Sequence, residues 1–98
     1  MSLPSRLLPE AEAELEEAFD FYEQRQTGLG VRFLSLVRGV IQRVSANPRM
    51  HAVVYKDVRK ATVSGYPYIV LYHEDQGELV VVSVFHTSRD PAEWQSRV

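Results

Sequence analysis

The amino-acid sequence predicts an α+β fold: an N-terminal two-helix hairpin packed on a twisted antiparallel sheet of about four strands, followed by a short C-terminal helix. Two observations lead to this prediction. Apolar residues recur at helical spacing as far as Asn47-Pro48, and beyond that point the pattern changes to short β-rich runs separated by turn signals. Helices followed by strands in this way are typical of α+β proteins.

Length and composition limit the possible classes of protein. A chain of 98 residues with 45% hydrophobic residues fits one domain, which we predict over residues 1–98. The absence of cysteine excludes disulfides, thiolate metal sites and cysteine nucleophiles, and it is compatible with a reducing cytoplasm. No apolar run approaches the roughly 18 residues that span a bilayer, and the N-terminus has no apolar signal core. We therefore expect a cytoplasmic protein with no membrane partner.

Residues 9–26 are predicted to form the first helix. Pro9 suits the first turn, and acidic residues are concentrated in the N-terminal half, where the helix dipole favours them. The apolar residues recur at helical spacing: Ala11, Leu15, Ala18, Phe19 and Tyr22. The helix should therefore have one apolar face and one strongly acidic face.

The segment TGLG at 27–30 breaks this helix, and a second helix follows. Its apolar residues give the clearest periodic pattern in the chain, with successive spacings of 4, 3, 1, 3, 1 and 3 residues: Leu29, Phe33, Leu36, Val37, Val40, Ile41 and Val44. Asn47-Pro48 should end it, because the residue before a proline is disfavoured in helical geometry. The two helices should form an antiparallel hairpin.

Four strands are predicted after the helices, at residues 52–55, 58–63, 68–73 and 79–85. Short connections between the last three imply an antiparallel meander, and the apolar run LVVVSVF implies a central strand covered on both faces. A short leading strand at Ser5–Leu8 is also predicted.

The stretch FHTSRDPAEW at 85–94 joins the last strand to the C-terminal helix. Asp90 is predicted as the N-cap, Pro91 as the first helical residue, and Glu93 as the third helical residue, where it would complete a capping box. Trp94 should anchor this helix by packing over the sheet. Arg89 is interpreted either as an ion-pair partner of Glu93 or as a contact to a binding partner.

Charge is distributed unevenly along the chain. Residues 1–27 contain two arginines and seven acids (net −5), whereas residues 28–98 contain nine basic and six acidic residues (net +3). A basic cluster, Arg49, Lys56, Arg59 and Lys60, faces only Asp57, and together with Arg89 it is predicted to bind a polyanion or an acidic partner segment. The alternative is a solvated sheet edge, where lysines discourage aggregation.

The three histidines lack both the helical spacing and the nearby carboxylates of a metal site, and nucleotide-binding and serine hydrolase motifs are missing. We therefore expect no metal and no cofactor. The remaining catalytic candidates are His86, Arg59 and Arg89, near tyrosines 66, 68 and 72. Such groups could cleave RNA without a metal, with an acid and a base moving protons and an arginine stabilising the phosphorane. They could equally be ordinary sheet surface.

A register argument separates two of these candidates. Turns centred on Gly65 and Gln76 would place Arg59 opposite Leu71, and Leu71 opposite Val81. His86 would then lie five residues further along the last strand, about 16 Å away at 3.3 Å per residue. An Arg59–His86 catalytic pair is therefore not predicted unless a bulge shifts the register.

The order of the segments EAEAELEEAFDFYEQRQTGLGVRFL, ANP, VRKATVSGYPYIVLYH and VVVSVFHTSRDPAEWQSR resembles the RelE/ParE superfamily, the toxins of bacterial type II toxin–antitoxin (plasmid stabilisation) modules. The resemblance covers nearly the whole chain. It implies the same hairpin-on-sheet fold and a cognate antitoxin, whose C-terminal segment wraps the toxin as a helix in a groove or a strand added to a sheet edge. A homodimer or a toxin–antitoxin hetero-oligomer is also expected.

The pattern YPY…H..RDP..W looks more like the ParE-like branch, whose characterised members poison DNA gyrase. RelE-like members cut mRNA in the ribosome, but the basic residue usual before a strand turn is absent from residues 62–65, and Thr87 follows His86 where an aromatic residue is usual. The leading interpretation from the resemblance is therefore a toxin that acts on DNA gyrase. The alternatives are a ribosome-dependent mRNA endonuclease that uses His86, Arg59 or Arg89, and a non-toxic relative that only binds a partner.

Overall fold

The computed structural model describes residues 2–98. These residues form β1 (Ser5–Leu7), α1 (Pro9–Arg25), α2 (Leu29–Ala46), β2 (Val53–Tyr55), β3 (Val58–Val63), β4 (Tyr68–Asp75), β5 (Glu78–His86) and α3 (Ala92–Gln95). Each predicted helix and strand is present, so hydrophobic periodicity and turn signals were sufficient to locate the elements.

The turn between α1 and α2 is held by a side chain. The Glu23 carboxylate accepts hydrogen bonds from the backbone N–H groups of Gly28 (2.9 Å), Gly30 (2.9 Å) and Val31 (3.3 Å). The bond from Gly28 is the largest cause of a Glu23 pKa below its ordinary value. Gly30 allows the helices to approach closely, because a Cβ there would lie 2.5 Å from the Phe19 carbonyl oxygen. The predicted antiparallel hairpin is confirmed.

The strands form one five-stranded sheet in the order β1-β5-β4-β3-β2. The last four strands of the chain are the predicted antiparallel meander, but β1 pairs parallel to β5. The α+β class is confirmed, and the sheet is mixed, with one strand more than the predicted meander. Tight turns fix the directions of the meander strands, whereas β1 joins the sheet before the helices and is free of that constraint.

The register of the meander differs from the prediction by one or two positions. Arg59 lies opposite Tyr72 rather than Leu71, and Leu71 lies opposite Ser83 rather than Val81. Since Tyr72 is itself opposite Val81, Arg59 remains level with the middle of β5, as predicted.

Turn geometry and a bulge explain the difference. Gln76 and Gly77 both have positive φ (48° and 79°) and form a two-residue turn between β4 and β5, so the turn is not centred on Gln76. The β4–β5 register then shifts between Leu71 and Tyr72, which leaves Val82 as an extra residue in β5. Such a bulge has no local sequence signal here.

Two apolar clusters cover the two faces of the sheet. The hairpin packs on a large cluster that includes Phe33, Val37 and Val44, and the opposite face carries a smaller one: Val58, Leu71, Val82, Phe85 and Trp94. Residues 79–85 of β5 are all buried, which confirms the predicted central strand. Trp94 is 4% exposed and packs edge-on against Tyr55, so the predicted anchor of α3 is also confirmed.

The start of α3 is only partly as predicted. The Asp90 carboxylate accepts a hydrogen bond from the Ala92 N–H (3.0 Å), as a capping residue does, but the helix begins one residue later than expected and Pro91 precedes it. The Glu93 carboxylate binds the Arg89 guanidinium (2.6 Å) instead of completing a capping box. Arg89 donates to both Glu93 oxygens (2.6 and 3.3 Å), and a two-point bond between opposite charges is stronger than a single bond to a backbone N–H, which accounts for this choice.

Candidate functional site

His86 lies at the end of β5, directly opposite Tyr68 on β4, and the two rings meet edge to face with centroids 5.0 Å apart. The His86 Nδ1 accepts a hydrogen bond from the Ser88 backbone N–H (3.1 Å) and lies 2.8 Å from the Ser88 hydroxyl. Because a backbone N–H can only donate, a neutral His86 carries its proton on Nε2. The turn after β5 therefore fixes both the orientation and the tautomer of this imidazole.

Arg89 is held by carboxylates of its own chain. Its guanidinium lies 2.6 Å from Glu93 and 3.7 Å from Glu14, and it is stacked over the Phe85 ring. The hydrogen bond to Glu93 is the largest cause of a raised Arg89 pKa. The predicted Arg89–Glu93 ion pair is confirmed.

Glu14 and Arg97 form a buried ion pair at the edge of β5, where the short β1 no longer covers it. The Glu14 carboxylate accepts two bonds from Arg97 (3.0 and 3.1 Å) and further bonds from the Ser83 hydroxyl (2.8 Å) and the Val84 N–H (3.3 Å). Arg97 also donates to the Val82 carbonyl (3.1 Å). The pair thus binds backbone groups of β5 that a neighbouring strand would otherwise bind, and it joins α1 to the C-terminal segment.

A cleft of about 530 Å³ lies between α1 and the ends of β4 and β5. Its lining combines acidic, aromatic and cationic side chains: Glu14, Glu17, Ala18, Asp20, Phe21, Gln24, Tyr68, Val84, His86 and Arg89. Burial raises the pKa of Tyr68, an effect that Arg89 opposes and that Glu17 and Glu14 add to. His86 and Arg89 therefore line the same cleft, and the carboxylates of Glu14, Glu17 and Asp20 line it as well.

Arg59 lies elsewhere, on β3, and is engaged with the backbone. It donates to the carbonyl oxygens of His51 (2.6 Å) and Arg49 (3.4 Å). The neighbouring Tyr72 hydroxyl donates to the Pro48 carbonyl (3.0 Å), and burial raises the pKa of Tyr72. These bonds tie the segment after α2 to the sheet, and they keep Arg59 away from the cleft.

The other members of the basic cluster are partly engaged as well. Arg49 pairs with Glu74 (3.4 Å), and Lys56 donates to the Val98 oxygen (2.9 Å) and lies over the Tyr55 ring. Lys60 is exposed at one rim of a groove beside α3. The structure therefore engages Arg49, Lys56 and Arg59 in separate local contacts and leaves Lys60 exposed.

No group of three or more metal-ligating side chains occurs within residues 2–98. No described helix is both long and apolar enough to cross a membrane.

Comparison with known protein families shows which family this chain matches. The family described as the ParE toxin of the type II toxin-antitoxin system, parDE, matches residues 6–91. The chain belongs to the ParE toxin family. Membership confirms the predicted resemblance to the ParE-like branch and the predicted class of function, a toxin of a type II toxin–antitoxin system.

The fold of this ParE-family chain is similar to a solved one. The structure titled "Chromosomal ParDE TA system from P. aeruginosa" contains a chain that matches with a TM-score of 0.77 at 12% identity, over 89% of this chain and 98% of that one. At this identity the likeness establishes a shared fold. No curated protein matches the sequence.

Sequence reasoning about this ParE-family chain missed Glu14 and Arg97. Glu14 belongs to the run of acidic residues in α1, but it lies three residues after Ala11 and four before Ala18, both of which are buried. That position on the apolar face was the available signal for a buried carboxylate. Arg97 offered no such signal, because nothing local indicates that it reaches α1.

Proposed function

We propose that this chain is the toxin of a toxin–antitoxin pair, that it inhibits DNA gyrase by binding to it, and that a cognate antitoxin neutralises it in the bacterial cytoplasm. One observation carries the proposal that it is not a nuclease: both candidate arginines are bound by oxygens of their own chain, Arg89 by Glu93 and Arg59 by two carbonyls. RNA cleavage needs such a cation free to stabilise the charge that develops on the phosphorane.

The charges in the cleft support the same conclusion. Glu14 is compensated by Arg97, but Glu17 and Asp20 have no ion-pair partner in the described part of the chain. Two like charges 4 Å apart repel by about 4 kcal/mol at an effective dielectric constant near 20. An RNA phosphate that approached His86 would meet this repulsion, whereas basic surface is what normally draws proteins to nucleic acids.

A second candidate function, a ribosome-dependent mRNA endonuclease, is favoured by the geometry of His86. Its Nδ1 is fixed as an acceptor by Ser88, its ring packs on Tyr68, and Arg89 lines the same cleft. A neutral imidazole with its proton on Nε2 is suited to proton transfer. In this candidate His86 is the acid or base, and Arg89 becomes the stabilising cation after it is released from Glu93.

Inducible expression with and without the adjacent antitoxin gene separates these functions. The proposal expects growth arrest with altered DNA supercoiling and intact mRNA, and it expects His86→Ala to arrest growth as strongly as the wild type. The endonuclease expects cleaved mRNA and a His86→Ala variant that folds but is harmless. Thr87→Ala, an exposed neighbour, serves as the control. Normal growth on expression would instead favour a non-toxic relative.

A further inference from the structure

A groove of about 340 Å³ lies on the face of the sheet opposite the two-helix hairpin, between the edge strand β2 and α3. Its floor is apolar and belongs to the smaller cluster and the side chain packed against it: Ile69, Leu71, Phe85 and Trp94. Val54 of β2 and Lys60 of β3 lie at its rim. Val54 is 44% exposed, which is high for a large apolar side chain of this domain. The groove is therefore an apolar recess with an exposed apolar residue and a cation beside it.

Lys60 is available to a partner. It lies directly opposite Leu71 in the ladder, so both side chains are on the groove face of the sheet. No carboxylate within residues 2–98 forms an ion pair with Lys60, and none of the described side chains that line the groove is acidic. The nearest acid in the sequence, Asp57, pairs with His73 (3.2 Å). A cation beside apolar surface, with no carboxylate of its own, is complementary to a carboxylate that a partner supplies.

The groove suits a protein better than a nucleic acid. Single-stranded nucleic acids bind by stacking bases on exposed aromatic faces and by cations that follow the phosphate backbone. The aromatic floor residues are covered, with Phe85 2% and Trp94 4% exposed, and Lys60 is the one cation that lines the groove in the described chain. Arg59 is on the opposite face of the sheet, because it pairs with Tyr72 of the larger cluster beneath the hairpin. An apolar side chain with a carboxylate beside it matches what the groove exposes.

A second copy of this chain fits the groove poorly. A two-fold contact, the usual symmetry of dimers, brings the same patch of both copies together. Lys60 of each copy would then face Lys60 of the other, and no acidic side chain among the described groove residues compensates for the repulsion. The occupant is therefore a different protein that carries a carboxylate at this position.

We propose that this groove binds DNA gyrase: an apolar side chain of the enzyme enters the recess beside Val54, and a neighbouring carboxylate binds Lys60. This inference rests on the proposed inhibition of gyrase, which requires a surface that binds a protein. It adds where on the chain that surface lies and which side chains of the target it accepts. Burial of the apolar side chain supplies affinity, and the charge pair fixes its orientation.

The first arm of the test compares two substitutions on one strand, using inhibition of supercoiling of relaxed plasmid by purified gyrase. Val54→Asp puts a carboxylate at the mouth of the groove. Val53→Asp is the matched control, because Val53 is equally exposed (48%) but pairs with Arg59 and so faces the other side of the sheet. Val54→Asp should need at least about tenfold more chain for half-inhibition, and Val53→Asp should stay within about twofold of wild type.

The second arm reverses the charge at the rim. Lys60→Glu should also need about tenfold more chain for half-inhibition, whereas Arg38→Glu, the same reversal at an exposed position of α2 outside the groove, should inhibit like wild type. Lys60→Glu decides the question alone if thermal melts show that Val54→Asp does not fold. Inhibition at wild-type concentrations by the folded groove variants would overturn the inference.

Other occupants of the groove give different results. If Lys60→Glu loses affinity for a single-stranded RNA oligonucleotide or for the purified antitoxin but inhibits gyrase like wild type, the groove belongs to that ligand and the inference is wrong. A wild-type chain that leaves supercoiling unaffected would remove the proposed function and this inference with it. Inhibition by wild type that the groove variants reproduce removes only the location of the surface.

Discussion

Replacement of Arg97 by alanine tests the buried ion pair that closes the edge of β5. The substitution removes both bonds from Arg97 to Glu14 and the bond to the Val82 carbonyl, and it leaves a carboxylate that is only 8% exposed without its main partner. Breaking a buried pair from one side typically costs about 3–5 kcal/mol. Arg89, 3.7 Å away, compensates in part, so we expect about 3 kcal/mol.

Urea denaturation followed by circular dichroism measures this loss, and each kcal/mol should also lower Tm by roughly 4–8 °C in a domain of this size. Arg97→Lys is the control, because it keeps the charge but cannot bind both carboxylate oxygens with a planar fork, and it should lose less than Arg97→Ala. A loss below about 1 kcal/mol for Arg97→Ala would refute the reasoning, since that is the range of exposed ion pairs.

Three further predictions concern the two-helix hairpin and the smaller apolar cluster around Trp94. Gly30→Ala should destabilise the chain because its Cβ meets the Phe19 carbonyl at 2.5 Å, whereas Gly39→Ala in the same helix should stabilise it by about 0.5–1 kcal/mol in thermal melts, because a Cβ there makes only an ordinary contact with the Arg43 side chain (3.6 Å). Trp94→Ala should cost about 3–5 kcal/mol in urea denaturation, and a smaller loss would mean that α3 contributes little to the core. The lowered pKa of Glu23 stabilises the fold above the ordinary carboxyl pKa, and that contribution disappears as pH falls through the folded-state pKa. Glu23→Gln should therefore be less stable than wild type at neutral pH and equal to it in acid, and a constant difference would contradict this.

Local patterns predicted the elements of the fold because each element is decided by neighbouring residues. The apolar stripe of α2 and the turn signals around Gly65 and Gly77 act within a few residues, and the observed bounds follow them. The parallel pairing of β1 with β5 could not be obtained in this way, since Ser5 and Leu79 are brought together only by the complete fold.

The candidate site was predicted less completely for the same reason. His86 and Arg89 are close in sequence, and they share a cleft in the structure. Apart from Glu93, the carboxylates that surround them come from α1, more than sixty residues earlier in the chain, so no local pattern could show that Arg89 meets Glu14. Similarly, Arg59 looked like a free strand arginine until the fold placed the carbonyl of His51 beside it.

The proposed function depends most directly on whether the purified chain inhibits DNA gyrase. Relaxed plasmid is incubated with gyrase and ATP while the chain is titrated, with and without an equimolar amount of the purified antitoxin. The proposal predicts that supercoiling is lost as the chain is added and restored by the antitoxin. Full supercoiling at a large excess of the chain, together with cleavage of ribosome-bound mRNA by the same preparation, would contradict it.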